Sequence, residues 1–216
     1  KNWQFSNGLK ALKQVRKYDK EFLDFNELEI LESYINKLSD DSFHYRFTKG
    51  VEFLHLDMED YSYDNELKYF ELLAKEFLTG NYSWDNYFPY LFNTKQRFNY
   101  SFGVALFNVL KEDNTKVDLF LNKSMISLEN IAEDERNYNV VAGFIRNLNE
   151  SQKTLFFEQI FRSDILKSSL FYFISSDESG HRYYKYIFKL LELGYKTEYV
   201  YNNNFYSLRN CSINER

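Results

Sequence analysis

The sequence predicts an all-α protein of stacked helix pairs, arranged as an α-solenoid or as an irregular helical bundle. Three observations predict it. Apolar residues recur mainly at helical spacing through most of the 216 residues. One proline and seven glycines are too few to supply the tight turns of a sandwich or barrel. The polar breaks between apolar stretches are short and rich in Ser, Asp, Asn and Thr, the residues that cap helices.

In chain order, Asn26 with Glu29 forms a capping box ahead of a helix through Leu28, Leu31, Ile35 and Leu38. Ser39 to Ser42 breaks that helix and caps the next, which carries Phe43, Phe47, Val51, Phe53 and Leu54. An acidic turn spans Met58 to Tyr63. From Asp64, the residues Leu67, Phe70, Leu73, Ala74, Phe77 and Leu78 make an apolar stripe, with Gly80 placed for a left-handed C-cap. Ser83 caps an aromatic segment, Trp84 to Phe92, that Pro89 bends or ends. A buried helix follows over Gln96 to Leu110, and an amphipathic one over Val117 to Ile131.

The second half repeats the style. Tyr138 to Leu148 is helical, Asn149 or Ser151 caps Leu155 to Phe161, and Ser163 or Asp164 caps Ile165 to Ile174. A polar turn over Ser175 to Gly180 leads to a helix over Tyr183 to Leu193, stopped by Gly194, with Thr197 capping a last short one. Aligning Gly80 with Gly194 sets Tyr69-Phe70 on Tyr183-Tyr184 and Lys75 on Lys189, the self-similarity expected of helix-pair repeats. The expected division is two helical-repeat units, 1–112 and 113–216, in one continuous stack.

Composition narrows the function. At 44% hydrophobic and 20% aromatic, the chain has enough apolar surface to offset chain entropy, which excludes a disordered polymer. Asn, Lys, Phe, Tyr and Ile are abundant while Ala, Arg, Gly and Pro are sparse, the mark of A/T-rich codons, so the 19 Tyr and 22 Phe read first as core. A net charge of −5 is a poor footprint for nucleic acid. The cluster Lys10, Lys13, Arg16, Lys17 and Lys20 reads as a solvated helix face, with nucleic-acid binding as the alternative. No apolar run is long enough to span a bilayer. One cysteine, Cys211, excludes an internal disulfide framework and fits a reducing cytosol. The ends, Lys1-Asn2-Trp3 and Asn214-Glu215-Arg216, read as boundaries within a larger parent chain.

Motifs of catalysis are few. The best metal-type cluster is His55 and Asp57 with Glu59, Asp60 and Asp64. A divalent cation would use such oxygens, but the spacing is not that of a calcium loop and an acidic, cap-rich loop explains it. A metal-dependent enzyme around His55, Asp57 and Asp60 is therefore the alternative reading. Ser179-Gly180-His181 places a serine near a histidine without a nucleophile elbow. No P-loop and no G-x-G-x-x-G occurs, and no cofactor is expected. The candidate partner-binding residues are the aromatics Tyr82, Trp84, Tyr87 and Tyr90, whose rings suit either stacking on a ligand or burial between helix pairs.

Two runs in the second half, Val140-Val141-Ala142-Gly143-Phe144-Ile145-Arg146-Asn147-Leu148 and Ile187-Phe188-Lys189-Leu190-Leu191-Glu192-Leu193-Gly194, precede Phe205-Tyr206-Ser207-Leu208. Together they resemble HEAT-like helical repeats of large bacterial proteins, including the sensor arms of STAND-type NTPases and of sirtuin-domain antiphage defence proteins. The Tyr-Gly pair usual near the end of such a unit is Tyr206-Ser207 here. The resemblance implies a non-catalytic cytoplasmic arm that recognises a protein, a phage protein among the candidates, with any enzymatic module elsewhere in the parent chain.

Overall fold

The computed structural model describes residues 2–39, 42–53, 62–80, 82–92, 99–177 and 179–195. Among the described residues there are eleven α-helices and no strand, so the chain is a packed all-α bundle. Its helices are α1 (Asn2–Tyr18), α2 (Phe25–Leu38), α3 (Phe43–Phe53), α4 (Tyr63–Thr79), α5 (Trp84–Phe92), α6 (Asn99–Leu110), α7 (Asn114–Glu129), α8 (Asn139–Ile145), α9 (Glu150–Arg162), α10 (Leu170–Ser176) and α11 (Tyr184–Glu192).

Polar caps start several helices where short polar breaks predict them. Ser42 Oγ accepts from Tyr45 N–H, Ser62 Oγ from Asn65, Asp113 from Lys116, and Asn149 with Gln152 forms a full capping box. Each such cap satisfies one of the orphan amides of a first turn, an effect of about 1 kcal/mol. The box ahead of α2 is formed by Asp24 and Glu27, not by Asn26 and Glu29. α2 starts earlier than its apolar stripe because Phe25, at the first position, faces solvent.

Two further expectations are corrected and one is narrowed. Gly80 is not left-handed: its φ is −85°. A Cβ there would stand 2.3 Å from the Tyr82 ring, so the absence of a side chain serves close packing. Gly194, with φ 86°, does take the left-handed form. Pro89 does not end α5, which continues to Phe92. The long helix expected over Ile165 to Ile174 is a turn, a 3₁₀ segment over Lys167–Ser169 and then α10. The cause is local: Ser163 Oγ accepts from Leu166 N–H, and Arg136 takes the Ile165 carbonyl at 3.1 Å. The start of the predicted 96–110 helix, part of the acidic turn, Leu54 and the Thr197 segment lie outside the described residues.

The centre is the pair α6 and α8. α6 is buried around its whole circumference from Ser101 to Phe107, with Phe102, Val104, Ala105, Leu106, Phe107 and Leu110 inside, as a central helix must be. In α8, every residue from Val140 to Ile145 is buried. The two cross backbone to backbone: a Cβ on Gly103 would lie 2.0 Å from the Val140 carbonyl oxygen, and one on Gly143 2.0 Å from that of Tyr100. Around this crossing the helices fall into two rows. One row runs α4, α6, α8, α10, joined by Asn108 Nδ2 to Glu71 at 3.0 Å, by the glycine crossing, and by the Tyr172 hydroxyl donating to Asn139.

The other row runs α5, α7, α9, α11. Trp84 and Phe88 of α5 meet Phe120 of α7. α7 and α9 touch at their starts, Gln152 to Asn114 at 3.2 Å, and at their ends, Ser163 to Glu129 at 2.6 Å, so they run side by side in the same direction. α9 and α11 do likewise: Tyr183 reaches Glu150 near their starts and Tyr186 meets Phe161 further along. α3 closes the N-terminal end of the main core on α4 through a bidentate Arg46–Glu76 pair, which also holds the Glu76 carboxyl below its ordinary range. One apolar core runs from Phe43 to Leu190. The α1–α2 hairpin has a separate small core of Leu9, Leu31 and Ile35.

Gly103→Ala and Gly143→Ala should each lower the unfolding free energy by about 3 kcal/mol, because a backbone carbonyl cannot yield as a side chain does. Urea denaturation of the single variants measures this, and a loss below that of an exposed Gly→Ala change would refute the close crossing.

Candidate functional site

The four sequence-predicted aromatics gather where α3, α4 and α5 meet. Tyr87 is buried, edge-on to Phe43 (ring centroids 5.4 Å), Phe47 (4.9 Å) and Phe77 (5.5 Å). Burial pushes its phenol up, with Tyr82 and Tyr90 adding to the effect. Tyr82 stacks on Phe43 at 4.2 Å, Trp84 tilts against Phe77 at 4.3 Å, and Tyr90 stands edge-on to His44 at 5.3 Å. These three are half-buried. The cluster is thus the wall of the core at this end, and only the outer edges of Tyr82, Trp84 and Tyr90 are open to a ligand.

The Ser179-Gly180-His181 segment belongs to a polar knot that ties α9 to the turn after α10. Lys153 Nζ lies 2.8 Å from Asp177 Oδ2 and 3.3 Å from Ser179 Oγ, with the Lys153 and Asp177 side chains only 6% and 2% exposed. The Ser179 hydroxyl donates to Asp177 at 3.1 Å, and the Ser179 N–H does the same. Gly180 fits because a Cβ would sit 1.9 Å from the Ile174 carbonyl oxygen.

Beside the knot, Glu150 receives Arg182 at 2.9 Å and the Tyr183 hydroxyl at 2.9 Å. Burial, then that hydrogen bond, pushes the Tyr183 phenol up to about 12. The chemistry is that of a structural clasp. A nucleophile needs a base free to take its proton, whereas the Ser179 hydroxyl is tied to Asp177, whose carboxylate is already paired with Lys153. His181 Nδ1 is buried and has no hydrogen-bond partner, so it does not complete a Ser–His pair.

A third feature escapes the sequence reading. In α7, Val117, Phe120, Leu121, Ser124 and Leu128 face the core, and Leu119 and Ile126 stand on the opposite side, exposed. In α9, Leu155 is likewise opposite Lys153, Phe156, Phe157 and Ile160, and in α11 Phe188 is opposite Ile187 and Leu190. At about 100° per residue all four point outward. They lie on three neighbouring helices of one row, so the solvent face of that row carries an apolar series. The signal in the sequence is an apolar residue on the wrong side of each helical wheel, which a search for core stripes passes over.

His55, Asp57, Glu59 and Asp60 lie outside the described residues, as does Cys211. Among the described residues no group of three or more His, Cys, Asp or Glu is placed to hold a metal ion, and no helix is long and apolar enough to cross a membrane. Compared with known proteins, the chain matches no family model, no curated protein and no solved structure.

Lys153→Ala leaves Asp177 buried without its cation and should cost about 3–5 kcal/mol of stability. The double change Lys153→Met/Asp177→Asn removes both charges and keeps an acceptor for Ser179, so its cost should be smaller. Urea midpoints of the two variants decide this; equal midpoints would mean that the ion pair is not the organising contact of the knot.

Proposed function

We propose that the chain is a non-catalytic helical-repeat module that recognises a cytosolic protein through the outward face of the row α5, α7, α9, α11. Two features of the helix order support the repeat reading. Contacts skip one helix along the chain in both rows, and neighbours α7, α9 and α11 run in the same direction. Stacked helix pairs have that connectivity and build extended binding faces from it.

The observation that carries the recognition reading is the series Leu119, Ile126, Leu155 and Phe188, each exposed on the side of its helix opposite the residues that face the core. A recurrent outward apolar position on adjacent helices costs solubility and offers a partner the anchors that dominate protein interfaces. The single cysteine suits a reducing compartment. Its resemblance to antiphage sensor arms makes a phage protein the first partner class to try.

The test uses the full chain as bait in lysates from phage-infected and uninfected bacteria, beside the Ile126→Glu/Leu155→Glu variant. The proposal expects a protein retained by the wild type and lost from the variant, with the same thermal midpoint for both baits. A wild type that retains nothing beyond what the variant retains would overturn it.

A further inference from the structure

Lysines are balanced differently at the two ends of the outward face. On α7, Lys116 lies 3.1 Å from Asp113, and Lys123 lies 3.5 Å from Asp85. On α11, Lys185 and Lys189 have no carboxylate within ion-pair distance among the described residues, and each stands over an aromatic ring instead. Lys185 Nζ is 4.9 Å from the centre of the Tyr186 ring, and Lys189 Nζ is 5.9 Å from that of Phe161. Lys167, from the turn ahead of α10, reaches the same Phe161 ring at 5.8 Å, but Asp164 pairs with it at 2.9 Å.

The two unpaired ammonium groups lie on the side of α11 that carries its exposed anchor. Tyr186, Ile187 and Leu190 are inside. At about 100° per residue, Lys185 stands one turn before Phe188 on the same face, and Lys189 turns from that face toward α9. Both lysines are exposed, and Phe188 is 60% exposed. The Phe161 and Tyr186 rings meet at 5.6 Å across the α9–α11 seam, so the two cations stand over one joined aromatic floor. A ring face holds an ammonium in place without neutralising it. Glu192, the only carboxylate of α11, forms no ion pair among the described residues.

We infer that the partner's contact segment is acidic as well as apolar: an apolar side chain seats on Phe188, and carboxylates of the same segment meet Lys185 and Lys189. This rests on the proposal that the α7, α9 and α11 face binds a protein, and gives that protein a chemistry. Opposite charge at the rim steers encounter and fixes register, while the apolar anchors supply the affinity. A nucleic acid fits less well. Glu158, on the Tyr186 hydroxyl, and Asp164, on Lys167, border the seam with Glu192, and a continuous phosphate backbone would meet all three.

A peptide-display selection tests it, with the full chain as bait and a library of random peptides as the probe. The wild type should enrich peptides that combine Asp or Glu with large apolar residues. Lys185→Gln/Lys189→Gln removes both charges at exposed positions; it should keep the apolar preference and lose the acidic one. By fluorescence anisotropy, a peptide selected on the wild type should bind this variant about fivefold more weakly, with a flatter dependence on salt, at an unchanged thermal midpoint of the protein. Selected peptides that are apolar without an acidic excess, or an acidic excess that survives Lys185→Gln/Lys189→Gln, would overturn the inference and leave the recognition face standing. Selection no different from that on Ile126→Glu/Leu155→Glu would overturn both. A single-stranded oligonucleotide that binds the wild type more tightly than the selected peptides do, and is lost with Lys185→Gln/Lys189→Gln, would assign the cations to nucleic acid and overturn the acidic-peptide inference.

Discussion

Everything in the main body is arranged around the contact of two glycines with two backbone carbonyls. Gly103 meets Val140 and Gly143 meets Tyr100 at distances that leave no room for even a methyl group. Interaxial distance is set by the side chains at the crossing, and here there are none. α6 and α8 therefore approach as closely as their backbones allow, which lets Phe102, Phe107 and Phe144 interlock on either side of the crossing: Phe107 and Phe144 meet edge-on at 5.4 Å, and Phe102 meets Phe70 of α4 and Phe47 of α3. The flanking helices then have fixed platforms, α4 on one side and α10 on the other, and the second row covers them.

That constraint separates what could be read in the sequence from what could not. The helices and their order follow from period and caps, both local properties, and the Asn149 and Ser83 caps stand where the residues place them. The Gly103–Gly143 crossing brings together residues forty apart, and nothing local distinguishes these glycines from helix weak points. Gly80 shows the same limit in reverse: local logic assigns it a left-handed cap, but the ring of Tyr82 needs the space. The break ahead of α10 was hidden for the same reason, because Arg136, from beyond α7, takes the carbonyl that would have continued the helix.

At the site, Tyr87 and its neighbours form one ring cluster with Phe43 and Phe77. Legibility failed on position, not on type. Leu119, Leu155 and Phe188 look like further core residues until the facing side of each helix is known. The polar knot was half visible: Ser179 and His181 drew notice as a pair, but the partners that matter, Lys153 and Asp177, sit 24 residues apart and join only when α9 and α10 pack.

Two regions of different strength result: a main body locked at the α6–α8 crossing, and a hairpin with its own separate core around Leu9, Leu31 and Ile35. Native-state hydrogen exchange measures that division directly, since amides report the free energy of the opening that exposes them. Under dilute conditions, the amides of 102–107 and 141–145 should exchange only through global unfolding, at the slowest rate in the chain, while those of α1 and α2 should exchange through a separate, lower-energy opening. Exchange of α6 and α8 as fast as that of the hairpin, or through local openings insensitive to denaturant, would contradict the account.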